Sequence, residues 1–349
     1  MIWLTWRQFR VQALTAGAAL AVFAILLAVT GHDLADRYAA SGITGCHGGG
    51  CTNATIEFLV SLGNTTLYPA VYELGIAVIL VAPAIIGLFW GAPLIAREFE
   101  SRTFALAWTQ STTRNRWLAA KLALTGLTAM AVTEALSLMY AWWGEPIVRA
   151  FNLGAAGTGT VFDDNQFSSL MFATHGITPL GYAAFAFALG AAVGVLFRRA
   201  LPAMAVTLAI FAAVQVVMPL AVRSHLLPPD RTVATFAAVQ ADDIGTLAPT
   251  VVPGHPGSWI ISSAAVNTAG RPVDLNTASA SCYPSNPQAK GPNAPVLWQC
   301  LDGKGFRTAV TYLPGSSYWP LQYIETGIFL ALALVLAGYC SWRLSRRRS

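Results

Sequence analysis

The sequence predicts an all-α integral membrane protein with six transmembrane helices, both termini cytoplasmic, and a sizeable extracytoplasmic loop domain between helices 5 and 6. Three observations predict it. Of 349 residues, 55% are hydrophobic and only 11% charged, against roughly a quarter charged in an ordinary soluble domain. Six apolar stretches, at 11–30, 74–95, 117–143, 178–197, 201–222 and 324–342, reach the ~20 residues that a helix needs to cross a hydrocarbon core about 30 Å thick. Finally, thirteen of the 21 basic residues fall on one side of a six-span layout. They are Arg7, Arg10, Arg97, Arg102, Arg114, Arg116, Lys121, Arg198, Arg199, Arg343, Arg346, Arg347 and Arg348, opposed there only by Glu98 and Glu100. An excess of Lys and Arg in short loops marks the cytoplasmic side.

Residues 1–10 place Ile2, Trp3, Trp6 and Phe9 near one helical face, with Arg7 and Arg10 elsewhere. This reads as an amphipathic interfacial helix leading into the first span. The apolar run behind it is longer than the core of a signal peptide and lacks a small-residue cleavage site, so a retained helix is expected. Residues 11–222 then hold transmembrane helices 1–5, with a cytoplasmic loop at 96–116. Pro83 and Pro93 in the second span each remove a backbone hydrogen bond, either to bend a moving helix or as a static packing feature.

Three unequal loops face outward. The first, from Gly31 to about Val71, carries Gly-Cys-His-Gly-Gly-Gly-Cys; the second, from Gly144 to Ile177, is polar and Gly-rich. The third is an extracytoplasmic domain at 223–318, rich in Pro, Ser, Asn and Gly, with β-branched runs at Thr250 to Val252 and Ala309 to Tyr312 that predict a few strands. Residues 319–349 form the sixth helix and a basic cytoplasmic tail, entered through an aromatic belt of Trp319 and Tyr323 beside Pro320.

Cys46, Cys51, Cys282 and Cys300 lie in external loops, where an oxidising space predicts two local disulfides, Cys46 to Cys51 and Cys282 to Cys300. Zinc ligation by Cys46, His47 and Cys51 lacks a fourth well-spaced ligand. Cys340, inside the sixth span, reads as a buried thiol. His32, His175 and His225 fall near external helix ends with no HExxH, GxSxG or paired-carboxylate spacing, so no metal site is expected. Glu73 and Glu325 sit at helix N-termini, where a carboxylate is favourable anyway. Glu134 is the acidic residue well inside a span; at that depth it either lines a path for substrate or protons or is held by a neighbouring helix. Gln215 in the fifth span is a weaker polar candidate of the same kind.

No Gly-x-x-x-x-Gly-Lys-[Ser/Thr] phosphate loop is present; Gly303-Lys304-Gly305 is the nearest fragment, and its spacing is wrong. The basic residues form no stripe with interleaved aromatics, and no nucleic-acid partner is expected despite the net charge of +5. Any ATP-driven step must enter from a partner. The segment from Ile95 to Leu122 shows where. Arg97, Glu98, Glu100 and Thr103, the apolar Phe104 to Trp108, a polar turn and Lys121 at the start of the third span follow a recognisable pattern. In this the chain resembles the membrane subunits of type-2 ATP-binding-cassette (ABC) exporters, whose second-to-third-span loop has the form R-E-x-E-x-G-T and docks on the ATPase. Arg102 stands where that family usually has Gly, and Gln110 where Pro is frequent.

The resemblance implies a permease subunit in a bacterial plasma membrane. It would pair with a second permease copy or homologue and with cytoplasmic ATPase subunits. ATP and Mg would bind on those partners, and no cofactor is expected in this chain. The cargo would be amphiphilic: a drug, peptide, lipid or glycolipid. The coupling surface would comprise Arg97, Glu98, Phe99, Glu100, Arg102, Thr103, Phe104 and Trp108. Two other classes remain open: a membrane sensor or assembly protein that uses such an ATPase while its external loop binds a ligand, and a membrane enzyme acting through the rim histidines.

Overall fold

The computed structural model describes residues 2–45, 51–100, 114–153, 160–162, 165–238, 252–255, 257–282 and 294–346. Six helical segments are long and apolar enough to cross a membrane. The first, α1 (Ile2–Ala40), is one unbroken helix, continuous through residue 10, where the sequence reading separates an interfacial helix from the first span. Phe23, Leu27, Thr30 and Leu34 are spaced four, three and four apart, and all four are buried. That face meets α5 (Arg114–Asn152), and Trp143 Nε1 donates to Thr30 Oγ1 at 3.0 Å. The opposite side leaves Val11, Leu14, Val22, Ile25 and Val29 exposed.

The predicted first loop is largely helical. Asp33 and Arg37 pair one turn apart and continue α1 beyond the apolar stretch. Next comes α2 (Cys51–Gly63), seated through Phe58, Leu59 and Leu62. Likewise α5 runs through Gly144 and Pro146 because Trp143, Ile147 and Ala150 are buried on one face. Burial on that face outweighs the local preference for a break.

The second span consists of α3 (Leu67–Ile86), a π-helical turn at Gly87–Gly91 and α4 (Ala92–Glu100). α3 runs through Pro83 without a break, and the irregular turn lies directly ahead of Pro93. Pro93 has no N–H for the Phe89 carbonyl four residues back, and Gln12 Nε2 on α1 donates to that carbonyl at 3.3 Å. Phe9 meets Trp90 of the same turn edge-on at 5.0 Å.

A short α6 (Ser169–Thr174), capped by Ser168 Oγ, which accepts from Met171 N, leads into α7 (Thr178–Phe197). α7 is the centre of the bundle. In its apolar window 83% of residues are buried, against 17% in the first and fifth spans. α8 (Ala200–Val217) follows a two-residue turn and ends in a π-helical turn at Met218–Val222 and a 3-10 turn at Arg223–His225.

The insertion carries the three strands of the described structure, β1 (Asp230–Ala234), β2 (Trp259–Val266) and β3 (Arg307–Leu313), in antiparallel order β1-β3-β2. Asp230 stands opposite Tyr312 and Trp259 opposite Leu313, with a register shift between Ile260 and Ser262. The run from Ala309 to Tyr312 lies within β3. Of the run from Thr250, only Val252 is described, and it is buried against Val310 and Tyr312 without forming a strand. Two helices, α9 (Leu275–Ala280) and α10 (Ala294–Gly303), share a small core of Phe236, Ala278, Leu297 and Leu301. Cys282 is bonded to Cys300. Cys51 is disulfide-bonded; Cys46, its expected partner, lies outside the described residues, as does His47. The last helix, α11 (Tyr318–Ser345), packs along α7 and exposes Trp319 and Tyr323.

Candidate functional site

At the basic end of the bundle, α7 stops at Arg198 in a left-handed conformation (φ 55°), and Arg199 is extended. α8 therefore begins abruptly, with first-turn N–H groups that have no acceptor within the helix. Glu100, the last residue of α4, supplies one: its Oε1 accepts from Ala200 N at 3.0 Å. A carboxylate is favoured at that helix end by the dipole as well. Thus the end of the second span is tied to the start of the fifth.

Both roots of the 101–113 segment are fixed in the same place. Ile95 on α4, Trp117 and Leu118 on α5, Ala191 and Val195 on α7 and Cys340 on α11 form one buried cluster. Lys121 is buried beside it, its Nζ 4.7 Å from the centre of the Trp117 ring. Arg102, Thr103, Phe104 and Trp108 lie outside the described residues, as do the side chains of Glu98 and Phe99. Arg97 and Glu100 belong to the described end of α4.

Midway along the bundle, Glu134 on α5 is half-buried, and its Oε2 is shielded from solvent without a hydrogen-bond partner among the described residues. Gln215 lies on α8, which packs chiefly on α7 and α4. α7 itself crosses the π turn of the second span through glycines. A Cβ on Gly190 would stand 2.3 Å from the Gly87 carbonyl oxygen, one on Gly91 2.5 Å from that of Phe187, and one on Gly194 2.5 Å from that of Ala92. Small residues let helices approach to backbone contact in this way.

The most developed polar site lies at the other end, where sequence reading placed little weight. Glu325 on α11 is 0% exposed and Arg223, just past the fifth span, 1%. Arg223 Nε donates to Glu325 Oε2 at 2.9 Å and its Nη2 to Oε1 at 3.1 Å. The Tyr182 hydroxyl on α7 donates to the same carboxylate. The guanidinium lies 4.2 Å from the centre of the Phe172 ring. Such a two-pronged pair holds its partners at defined angles. One turn away, Gln322 Oε1 accepts from Thr178 N at 3.0 Å and from Thr178 Oγ1. Its Nε2 lies 3.0–3.2 Å from the carbonyls of Phe172 and His175 and the Tyr318 hydroxyl. Ser137 Oγ reaches the carbonyls of Thr174 and Gly176 at 3.1 and 2.9 Å. Helices α5, α6, α7 and α11 and the turn at 175–177 are joined here without an unused acceptor on Gln322 or Glu325. The signal in the sequence is two opposite charges, Arg223 directly after one apolar run and Glu325 at the start of the next, on either side of the insertion.

His175 belongs to this network; its Nδ1 is 3.1 Å from Thr174 Oγ1 and from the Met171 carbonyl. Burial pushes the imidazole down from 6.5 to about 4, against the opposing pull of the Met171 carbonyl. The neutral form is therefore the folded form. Between pH 6.5 and 4 the unfolded chain takes up a proton that the folded one refuses, so stability falls as the pH falls through that window and levels off below it. The loss amounts to about 3 kcal/mol at most. Melting of the purified protein at pH 7 and pH 4.5 should show it, and His175→Gln should flatten the difference; an unchanged difference would remove the role given to this imidazole. His32 and His225 are both exposed. Among the described residues no cluster of His, Cys, Asp or Glu could hold a metal ion. Glu73 is likewise exposed.

A family model described as ABC-2 membrane transporter related matches residues 17–223. No curated protein and no solved structure shows detectable similarity to the chain.

Proposed function

From the premise that the chain belongs to the ABC-2 membrane transporter related family, and is thus a multi-pass membrane permease subunit of an ABC transporter, we propose that it exports an amphiphilic cargo. The energy comes from ATP hydrolysed, with Mg, by separate cytoplasmic ATPase subunits. A second copy or homologue completes the pathway, and the assembly resides in a bacterial plasma membrane with its basic end in the cytoplasm. The exposed apolar faces of the first and fifth spans are available to lipid or to that second subunit.

The observation that carries the reading is the anchoring of the segment between the second and third spans. Its roots converge on the central helix α7 and on the start of α8. A push on 101–113 from an ATPase would therefore reach several helices together and bias the bundle between two packed arrangements, as coupling requires. Phe104 and Trp108 supply aromatic anchors of the kind that dominate interfaces, and truncating a central one typically costs about 2 kcal/mol, roughly 30-fold in affinity.

Phe104→Ala and Glu98→Lys should leave the protein folded and in the membrane. Each should weaken co-purification of the ATPase or uncouple hydrolysis from vesicle transport, while a change at Asn115 should do neither. If both variants bind the ATPase and transport like the control, the segment is not the coupling surface. ATPase binding without any cargo movement, in parent and variants alike, would favour a sensor over a transporter.

A further inference from the structure

A pocket of ≈ 380 Å³ opens where the insertion meets the bundle. One wall is the end of α5 at Asn152 with Gln166 from the stretch before α6. The other is formed by His255 and Gly257 ahead of β2 and by Pro314 and Ser316 between β3 and α11. The walls are held together by hydrogen bonds: Gln166 Nε2 donates to the Gly257 carbonyl at 3.1 Å and Asn165 Nδ2 to that of Ser258 at 2.8 Å. Gly257 has φ +68°, and a Cβ there would stand 3.2 Å from Asn152 Oδ1. The backbone thus takes a left-handed turn against the amide wall that a larger residue would strain.

The polar lining is not spent on the protein. Among the described residues, the side chains of Asn152 and Ser316 make no hydrogen bond, the His255 ring nitrogens make none, and only the amide nitrogen of Gln166 is engaged. His255 instead lies against Tyr312, ring centres 5.1 Å apart. The pocket therefore offers an amide with donors and acceptor, an amide oxygen, a hydroxyl and an imidazole, beside the apolar edge of Pro314. Among the described residues no carboxylate, ammonium or guanidinium lines it. Concave sites with a few convergent polar groups are where small ligands bind, and a set of amides, a hydroxyl and an imidazole that both donates and accepts matches hydroxyl groups.

The geometry points to a binding site for a neutral pyranose ring, either a free sugar or the headgroup of a glycolipid. This stands apart from the transport reading, because it concerns binding to the isolated chain.

The full chain in phosphatidylglycerol nanodiscs, free of sugar-based detergent, allows both sources to be tested. Saturation-transfer NMR would follow free methyl β-glucopyranoside. Native mass spectrometry would follow monoglucosyl diacylglycerol incorporated in the discs. Binding in the first arm assigns a soluble sugar, and binding only in the second assigns a lipid headgroup. Asn152→Leu should weaken whichever binds at least tenfold, and Ser316→Ala at least threefold, at unchanged melting temperature, while gluconate should not bind the parent. Binding of neither probe, binding of gluconate in equal measure, or full binding by the stably folded variants would overturn the proposal.

Discussion

Glu325→Ala is expected to destabilise the folded protein by about 3–5 kcal/mol, the usual result of deleting one member of a buried ion pair. The loss of attraction is only part of this. With the carboxylate gone, a guanidinium at 1% exposure would keep its charge, since Arg does not deprotonate in proteins, and the Tyr182 hydroxyl would lose its acceptor. Arg223→Met should be costly for the mirror reason, since it leaves the Glu325 carboxylate buried without its guanidinium. The double variant Arg223→Met with Glu325→Met removes both charges and should recover much of the stability, because apolar replacements of a buried pair are often neutral or better. Thermal or denaturant unfolding of the four proteins forms a double-mutant cycle. Single variants as stable as the parent would mean that the pair does not hold the bundle.

Gly190→Val should prevent the bundle from assembling, with a loss of at least about 3 kcal/mol, beyond the ordinary range for overpacking. The obstruction is backbone: the Gly87 carbonyl oxygen at 2.3 Å and Ala92 N at 2.7 Å from the added Cβ. No rotamer change can relieve it, so α7 would have to move away from the second span and give up the contacts on which the other helices depend. Gly17→Val adds the same methyl groups where nothing lies within 4 Å and should be neutral. Equal yield and melting temperature for the two variants would show that the crossing is loose.

The sequence made the spans legible because burial in lipid demands long apolar runs, and it made the basic end legible because charge is confined to short loops. What it concealed depended on tertiary contacts. Residues 32–40 and 144–152 contain charges, Gly and Pro that suggest loops, yet each continues a helix because one of its faces is buried. Arg223 and Glu325 each stand at the edge of an apolar run, where a charge needs no partner, and only folding across the insertion brings them together. Gly87, Gly91, Gly190 and Gly194 are spaced as small-residue pairs on two different spans, but their mutual contact is a property of the crossing. In the connection between the second and third spans, the structure adds Glu100, whose role as a helix cap could not be read from its neighbours.

The pairing of Arg223 with Glu325 also bears on how this protein could vary in nature. The insertion leaves the bundle after Arg223 and returns to it in α11, and the ion pair with Glu325 fastens these two ends to each other. Once the ends are fastened, doubling the enclosed length costs only about 0.6 kcal/mol in closure entropy. A lineage could lengthen or shorten the insertion away from its contacts with Asn165 and Gln166 without moving the helix ends that flank it. The near end is fastened by Arg223 itself, the first residue after the π-helical turn that closes α8.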